Sequence, residues 1–137
     1  MASDLIELTI VTPERLMMSD KVEQVNVPAS EGDVGILPNH APLLTAIRPG
    51  QLSYQNGENR IILVVSGGYL EVAENRVTVL AETAEFLNEI DRKRAETAKQ
   101  KAEEILNRSD VSDDEFRRAQ KKLFRAVARL ESVEENK

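Results

Sequence analysis

The sequence has no cysteine, no tryptophan and a single histidine, and its aromatic side chains amount to three phenylalanines and two tyrosines. Without cysteine there are no disulfide staples and no thiolate metal sites, a composition compatible with a reducing cytoplasm. One histidine leaves no His-based ligand set, and no other metal-ligand spacing occurs. No stretch approaches the roughly 20 apolar residues of a membrane span, and no basic segment followed by an apolar run opens the chain. A soluble, unprocessed protein is expected. Nucleophilic chemistry is equally thin. There is no G-x-x-x-x-G-K phosphate loop, and Ser66-Gly67-Gly68 lacks the preceding glycine of a nucleophile elbow. His40 stands between Asn39 and Ala41 with no evident carboxylate to orient it, which favours a structural or interface role over general base catalysis. The chain reads as a non-enzyme, with no catalytic residue and no metal site.

What is present divides into two compositions. Hydrophobic residues make up 41% of the 137, enough for a modest aliphatic core. Residues 1–88 hold five basic and twelve acidic side chains, and residues 89–137 hold thirteen and twelve, so a net charge of −7 gives way to +1. That change predicts a boundary, with one domain over 1–87 and a second over 88–137. In the first part the signal is period two in short runs: Ile6, Leu8 and Ile10, then Val22, Val25 and Val27, each among polar neighbours. Asn56-Gly57, between Leu52–Tyr54 and Ile61–Val65, is a hairpin signal because both residues tolerate φ > 0. A further turn is predicted at Glu74-Asn75, between Tyr69–Val72 and Val77–Leu80. Short strands broken by turn residues argue for a β-sandwich or flattened barrel.

After Glu82 the spacing becomes helical. Ala95, Ala98, Ala102, Ile105 and Leu106 fall on one face of a helix that begins near Asn88, with Asn88 as its cap, and ends near Asn107. A second helix starts at Ser112, where Ser112 and Glu115 form a capping box and Val111 and Phe116 a hydrophobic staple. Phe116, Ala119, Leu123, Ala126, Val127 and Leu130 mark its buried stripe. Two alanine-rich helices joined by a short loop predict an antiparallel hairpin. The fold class is therefore α+β: an N-terminal β-sandwich followed by a C-terminal two-helix hairpin. Neither helical stripe is broad, so the pair depends on what it packs against and can dock in more than one place.

Two stretches carry functional signals. Glu31–Leu44, EGDVGILPNHAPLL, concentrates Gly32, Gly35, Pro38, Pro42 and the only histidine among apolar neighbours, which makes a rigid corner. Such a corner either turns the chain between strands or presents a binding surface; composition leaves both open. Between Phe116 and Leu130 the charged residues are all basic: Arg117, Arg118, Lys121, Lys122, Arg125 and Arg129. This run is either a solvated face or a site for an acidic partner or phosphates, which guanidinium forks bind bidentately. The overall acidity and scarce aromatics argue against nucleic acid. In an antiparallel hairpin, Asp91 and Arg94 on the first helix would converge with Arg125 and Arg129 on the second.

Taken in order, EGDVGILPNHAPLLTAI (Glu31–Ile47), VSGGYLEV (Val65–Val72), VTVLAETA (Val77–Ala84) and IDRKRA (Ile90–Ala95), followed by the two-helix tail, resemble the epsilon subunit of bacterial and chloroplast F-type ATP synthases along essentially the whole length. The resemblance implies a non-catalytic coupling subunit of the central stalk. Its sandwich would bind the gamma subunit and the c-ring, with Glu31, Asp33 and His40 as polar members of that surface. Its hairpin would lie folded or extend into the alpha/beta catalytic head and restrain ATP hydrolysis. There the basic residues Arg117, Arg118, Lys121, Lys122 and Arg125 would meet an acidic segment of a beta subunit. IDRKRA also matches the I/L-D-x-x-R-A motif of members that bind ATP. By position, Glu85, Ile90, Asp91, Arg94 and Ala95 would frame base and ribose, and Arg125 and Arg129 the phosphates. Lys101 stands where such members can carry a further arginine, keeping the charge without the planar fork. No cofactor is required on this reading, ATP being a regulatory ligand. Membrane contact would come only through the complex, at the cytoplasmic face of a bacterial plasma membrane more readily than at a thylakoid. The alternative is a free-standing nucleotide-binding sensor.

Overall fold

The computed structural model describes residues 4–136. Its strands are β1 (Ile6–Val11), β2 (Leu16–Val22), β3 (Gln24–Ala29), β4 (Gly32–Ile36), β5 (Leu43–Ala46), β6 (Gly50–Asn56), β7 (Asn59–Ala73) and β8 (Arg76–Phe86). A 3-10 turn at Leu87–Glu89 precedes helices α1 (Arg92–Leu106) and α2 (Asp113–Glu135). The chain divides into two compact units, Met1–Phe86 and Leu87–Lys137. The expected α+β architecture is the observed one.

In the first unit the hydrogen-bonded order is β2-β1-β8-β7-β6-β3-β4, with β5 joined to β7. All these pairings are antiparallel except β1 with β8, which run parallel. Enclosed by the sandwich is an aliphatic core that includes Leu8, Ile10, Val22, Leu52, Leu63, Val65, Leu70 and Val79. Burying each such side chain stabilises the fold by about 1.5–3 kcal/mol relative to leaving it in water.

In this unit three local readings differ from the expectation. Val22, Val25 and Val27 do not form one strand: Glu23 is a bend, Val22 pairs with Ile6, and Val25 and Val27 pair with Ile36 and Val34. The step of three from Val22 to Val25 breaks the period of two, and the chain turns there. The β6–β7 loop is Gly57-Glu58, one residue later than expected, flanked by the Asn56–Asn59 pair. Gly57 alone has positive φ (66°), at the first loop position, which a type II′ turn reserves for glycine. Glu74-Asn75 forms the predicted turn, with φ of 50° and 61°, the sign that type I′ geometry requires at both positions.

The third difference concerns Ser66-Gly67-Gly68, which joins two apolar runs into a single 15-residue strand instead of separating them. Gly67 and Gly68 have φ of 67° and 101°, outside the range of ordinary strand residues. This irregularity bends β7, so that Gly50 to Asn56 pair with its first half and Leu43 to Ala46 with its second. Buried Ser66 and half-buried Thr83 satisfy each other across the bend at 2.7 Å. An unpaired buried hydroxyl there would cost about 1–3 kcal/mol.

In the second unit, Asp91 is the cap of α1, and Asn88 lies in the preceding 3-10 turn. Asp91 takes extended geometry and its Oδ1 accepts the Arg94 amide at 3.1 Å, a bond that Asn88 cannot make because Ile90 still closes on Leu87. α2 begins as predicted: Ser112 Oγ accepts the Glu115 amide at 3.1 Å. Ala95 and Ala102 on α1, and Ala119, Ala126, Ala128 and Ser132 on α2, are the buried helical residues. Phe116, expected in the buried stripe, is exposed at the start of α2, whereas Ala128 and Ser132 extend the buried set towards its end. The helices are antiparallel, since Arg92 at the start of α1 bonds Glu134 at the end of α2 at 3.0 Å. Between the helices, Arg108 grips Asp110 through two hydrogen bonds, which raise the guanidinium and hold the carboxyl below its usual range.

Candidate functional site

A groove of about 690 Å³ runs along the hairpin. It is lined by Asp91, Lys93, Arg94, Thr97, Ala98, Lys101, Ala102 and Ile105 from α1 and its cap, and by Lys122, Arg125 and Arg129 from α2. The helical spacing explains the convergence: Arg94, Ala98, Lys101 and Ile105 recur in steps of three and four, as do Lys122, Arg125 and Arg129. Small Ala98 and Ala102 leave room between the two rows. Six cations therefore face one carboxylate, over a floor of alanine and isoleucine. Such a groove suits a polyanion with an apolar or planar portion, because guanidiniums supply forked donors and the floor supplies contact area.

Four of the seven residues expected at a nucleotide site, Asp91, Arg94, Arg125 and Arg129, line this groove. The other three do not. Ala95 is buried in α1, half-buried Ile90 precedes the helix with its amide on the Leu87 carbonyl, and Glu85 lies on β8 opposite Val64. Asp91 also has a structural duty as the helix cap. Lys93 and Thr97 were absent from the expected set, although their spacing from Arg94 and Lys101 places them on the same side of the helix. The basic run on α2 divides. Lys122 and Arg125 line the groove, whereas Arg117, Arg118 and Lys121 are exposed outside it, Arg117 lying 3.9 Å from Asp114.

The Glu31–Leu44 corner is anchored at two places. Arg48 ties its beginning down, with Nη2 on Asp33 Oδ1 at 2.6 Å and Nη1 on the Ala29 carbonyl at 2.7 Å. Asn39, at φ 68°, ties down its later part: its amide donates to Asn75 Oδ1 at 2.5 Å and its side chain to Asp4 Oδ2 at 3.3 Å. His40 Nδ1 sits 2.7 Å from the Ala41 carbonyl, and the His40 amide closes a turn on Leu37. Glu31 is exposed in the β3–β4 turn. Asp33 thus serves an internal ion pair, and the three expected partner residues share a segment without forming one cluster.

A second surface escaped the sequence reading. Strand register aligns Leu16, Val11, Leu80, Tyr69 and Ala46 side by side across β2, β1, β8, β7 and β5. Leu16, Leu80 and Tyr69 are between 52% and 60% exposed, which large apolar side chains in one row seldom are on a solvated sheet face. Beside them run Ser19, Thr9, Thr78, Glu71 and Leu44, the last 70% exposed. At strand spacing the apolar row is roughly 19 Å long. Pairing across five strands drawn from residues 6 to 86 created it, so only alternation within each strand could have hinted at it.

Two family models match the chain: ATP synthase, Delta/Epsilon chain, beta-sandwich domain over residues 5–87, and ATP synthase, Delta/Epsilon chain, long alpha-helix domain over residues 88–134. Among curated relatives, the ATP synthase epsilon chain of Herpetosiphon aurantiacus is 47% identical, covering 92% of this chain and 92% of the relative. That of Desulforamulus reducens is 44% identical, covering 93% and 96%. Among solved structures, a chain of the Euglena gracilis mitochondrial ATP synthase OSCP/F1/c-ring assembly superposes with a TM-score of 0.79 over 94% of this chain and 81% of its own, at 22% identity, a likeness of fold.

Proposed function

The chain belongs to the ATP synthase epsilon chain family, and on that premise we propose that it is a non-catalytic central-stalk subunit whose sandwich docks on the gamma subunit and the c-ring. The observation that carries this reading is the exposed row Leu16, Val11, Leu80, Tyr69 and Ala46. Its length suits one face of an α-helix of about 13 residues, a common way for an apolar sheet face to be covered. A chain of the Tetrahymena thermophila mitochondrial ATP synthase central stalk and c-ring assembly shares the fold, with a TM-score of 0.58, which supports this choice of partner. Glu31 and His40 are the polar contacts at the corner, and Asp33 shapes it through Arg48. Leu80→Lys is expected to weaken co-purification with gamma at least tenfold, because it drives a charge into the apolar contact. Glu71→Lys, in the neighbouring row, should have a smaller effect. Wild-type gamma binding by the Leu80→Lys variant would move the interface off this face.

The hairpin is the regulatory element. Among the described residues no helix is long and apolar enough to cross a membrane. Extended, its basic residues meet an acidic segment of a catalytic beta subunit and restrain ATP hydrolysis; folded, it holds ATP in the cationic groove. Lys122 and Arg125 belong to both sets, so a bound polyphosphate withdraws two cations that the catalytic head would use. A ligand shifts such an equilibrium only by its difference in affinity for the two states, and this shared use is the source of that difference. Replacing Arg117, Arg118 and Lys121, which lie outside the groove, with alanine should raise hydrolysis by the assembled complex several-fold and leave ATP binding to the isolated subunit unchanged. Equal restraint after this replacement would reduce the run to solvated surface. In the complex the subunit would sit peripherally at the cytoplasmic face of a bacterial membrane.

A further inference from the structure

The groove places Lys93, Arg94 and Lys101 opposite Lys122, Arg125 and Arg129, so without an anion the two helices repel each other along their front. Alanines form their buried seam, and small side chains supply little interlocking to resist a slide or a splay. On the back of the hairpin lies a second depression of about 500 Å³, mixed in charge, with Arg92, Lys99, Glu103 and Glu134 among its lining residues. Here Arg92 Nη2 meets Glu134 Oε2 at 3.0 Å, and Arg92 Nε lies 3.5 Å from Glu96 Oε1 on the same helix.

We propose that Arg92 and Glu134 are positioning residues for the cationic groove, their ion pair holding the end of α2 against the start of α1. The inference rests on the reading of the groove as a polyanion site. Arg92 is two residues from Arg94, and Glu134 is five from Arg129, so the pair acts on the segments that carry two of the groove's guanidiniums. Neither residue lines the groove. Their effect is on the spacing of Arg94 and Arg129, and Glu96 keeps Arg92 directed along α1 while it reaches across.

Positioning and simple charge predict opposite signs for one substitution. Glu134→Gln removes a negative charge near a cationic site, which by Coulomb's law alone should tighten anion binding. Loss of positioning should instead weaken it, as should Arg92→Gln, each by a factor of about two to five, the range of a solvent-exposed pair. The double exchange Arg92→Glu with Glu134→Arg restores the pair, and made beside Glu96→Gln, which keeps the new carboxylate from facing another one turn away, it should return affinity to within twofold of the chain carrying Glu96→Gln alone. The measurement is calorimetric titration of the full chain, the two single variants, the exchange and its Glu96→Gln parent with inorganic tripolyphosphate at low ionic strength. It is paired with distance distributions between spin labels at Glu89 and Glu135. Both single variants should broaden the distribution, and the exchange should narrow it again. Tighter binding by Glu134→Gln, no effect of either single change, or failure of the exchange to restore affinity overturns the positioning role while the groove stands. A wild-type chain that does not bind tripolyphosphate removes the groove as a polyanion site and the pair's role with it.

Discussion

Replacing Gly68 with alanine should lower the melting temperature of the sandwich by more than 10 °C. Gly68 has φ 101°, and a Cβ there would overlap the Leu80 carbonyl oxygen on the adjacent strand. Backbone, unlike a side-chain tip, has no rotamer in which to move aside. Left-handed strain and overpacking each cost about 1–3 kcal/mol, and for a domain of this size one kcal/mol corresponds to about 4–8 °C. Two comparisons isolate the cause. At Gly67, φ 67°, the atoms nearest an added Cβ belong to the Glu82 side chain, which can swing away; at Gly57, φ 66°, it meets open space. The series should therefore rank Gly68→Ala well above Gly67→Ala, with Gly57→Ala least, at about 1 kcal/mol. Thermal unfolding followed by circular dichroism reads this order. A Gly68→Ala melt within 2 °C of wild type would mean that β7 does not need the bend. Because Tyr69 follows the bend and Leu80 pairs with Tyr69, surviving Gly68→Ala protein should also bind gamma poorly.

Alanine at both Arg94 and Arg125 should weaken ATP binding to the isolated chain by more than 100-fold without lowering its melting temperature. A hydrogen bond to a charged group contributes about 1.5–3 kcal/mol, so each guanidinium accounts for roughly a tenfold loss or more. Neither side chain is buried in the apolar seam, and Arg94 holds its place in α1 through its backbone amide on Asp91, which the substitution leaves intact. Arg125→Lys should fall between, keeping the charge and losing the fork. Wild-type affinity should drop as salt is raised, since the groove is open to solvent. Titration calorimetry at two salt concentrations measures all of this. No heat from wild type at millimolar ATP would end the nucleotide reading, and alanine variants that bind like wild type would place the ligand elsewhere.

The helical half was legible because its information is local. Capping at Ser112, the alanine stripe at helical spacing and the convergence of Asp91 and Arg94 with Arg125 and Arg129 all follow from a 3.6-residue period and one reversal of direction. The misreadings there, Asn88 as cap and Phe116 as buried, lie at helix starts, where one hydrogen bond decides the assignment and several residues compete for it. Glu85, Ile90 and Ala95 entered the expected site by family position, and the groove is built without them.

In the sandwich, the strands with clean alternation were legible, as was the turn at Glu74-Asn75, whose type I′ geometry the backbone supplies. By itself the sequence determined that a β-rich unit with an aliphatic core precedes a cationic helical hairpin, since period, turn chemistry and charge are properties of neighbouring residues. Tertiary structure alone decided the parallel β1–β8 pair, the continuation of β7 through two glycines, the clamp of Asn39 on Asn75, and the apolar row from Leu16 to Ala46. β7 runs on through its glycines because β8 pairs with it on both sides of them; the other features join residues far apart in the chain, and strand register, which no local preference specifies, sets which side chains end up side by side.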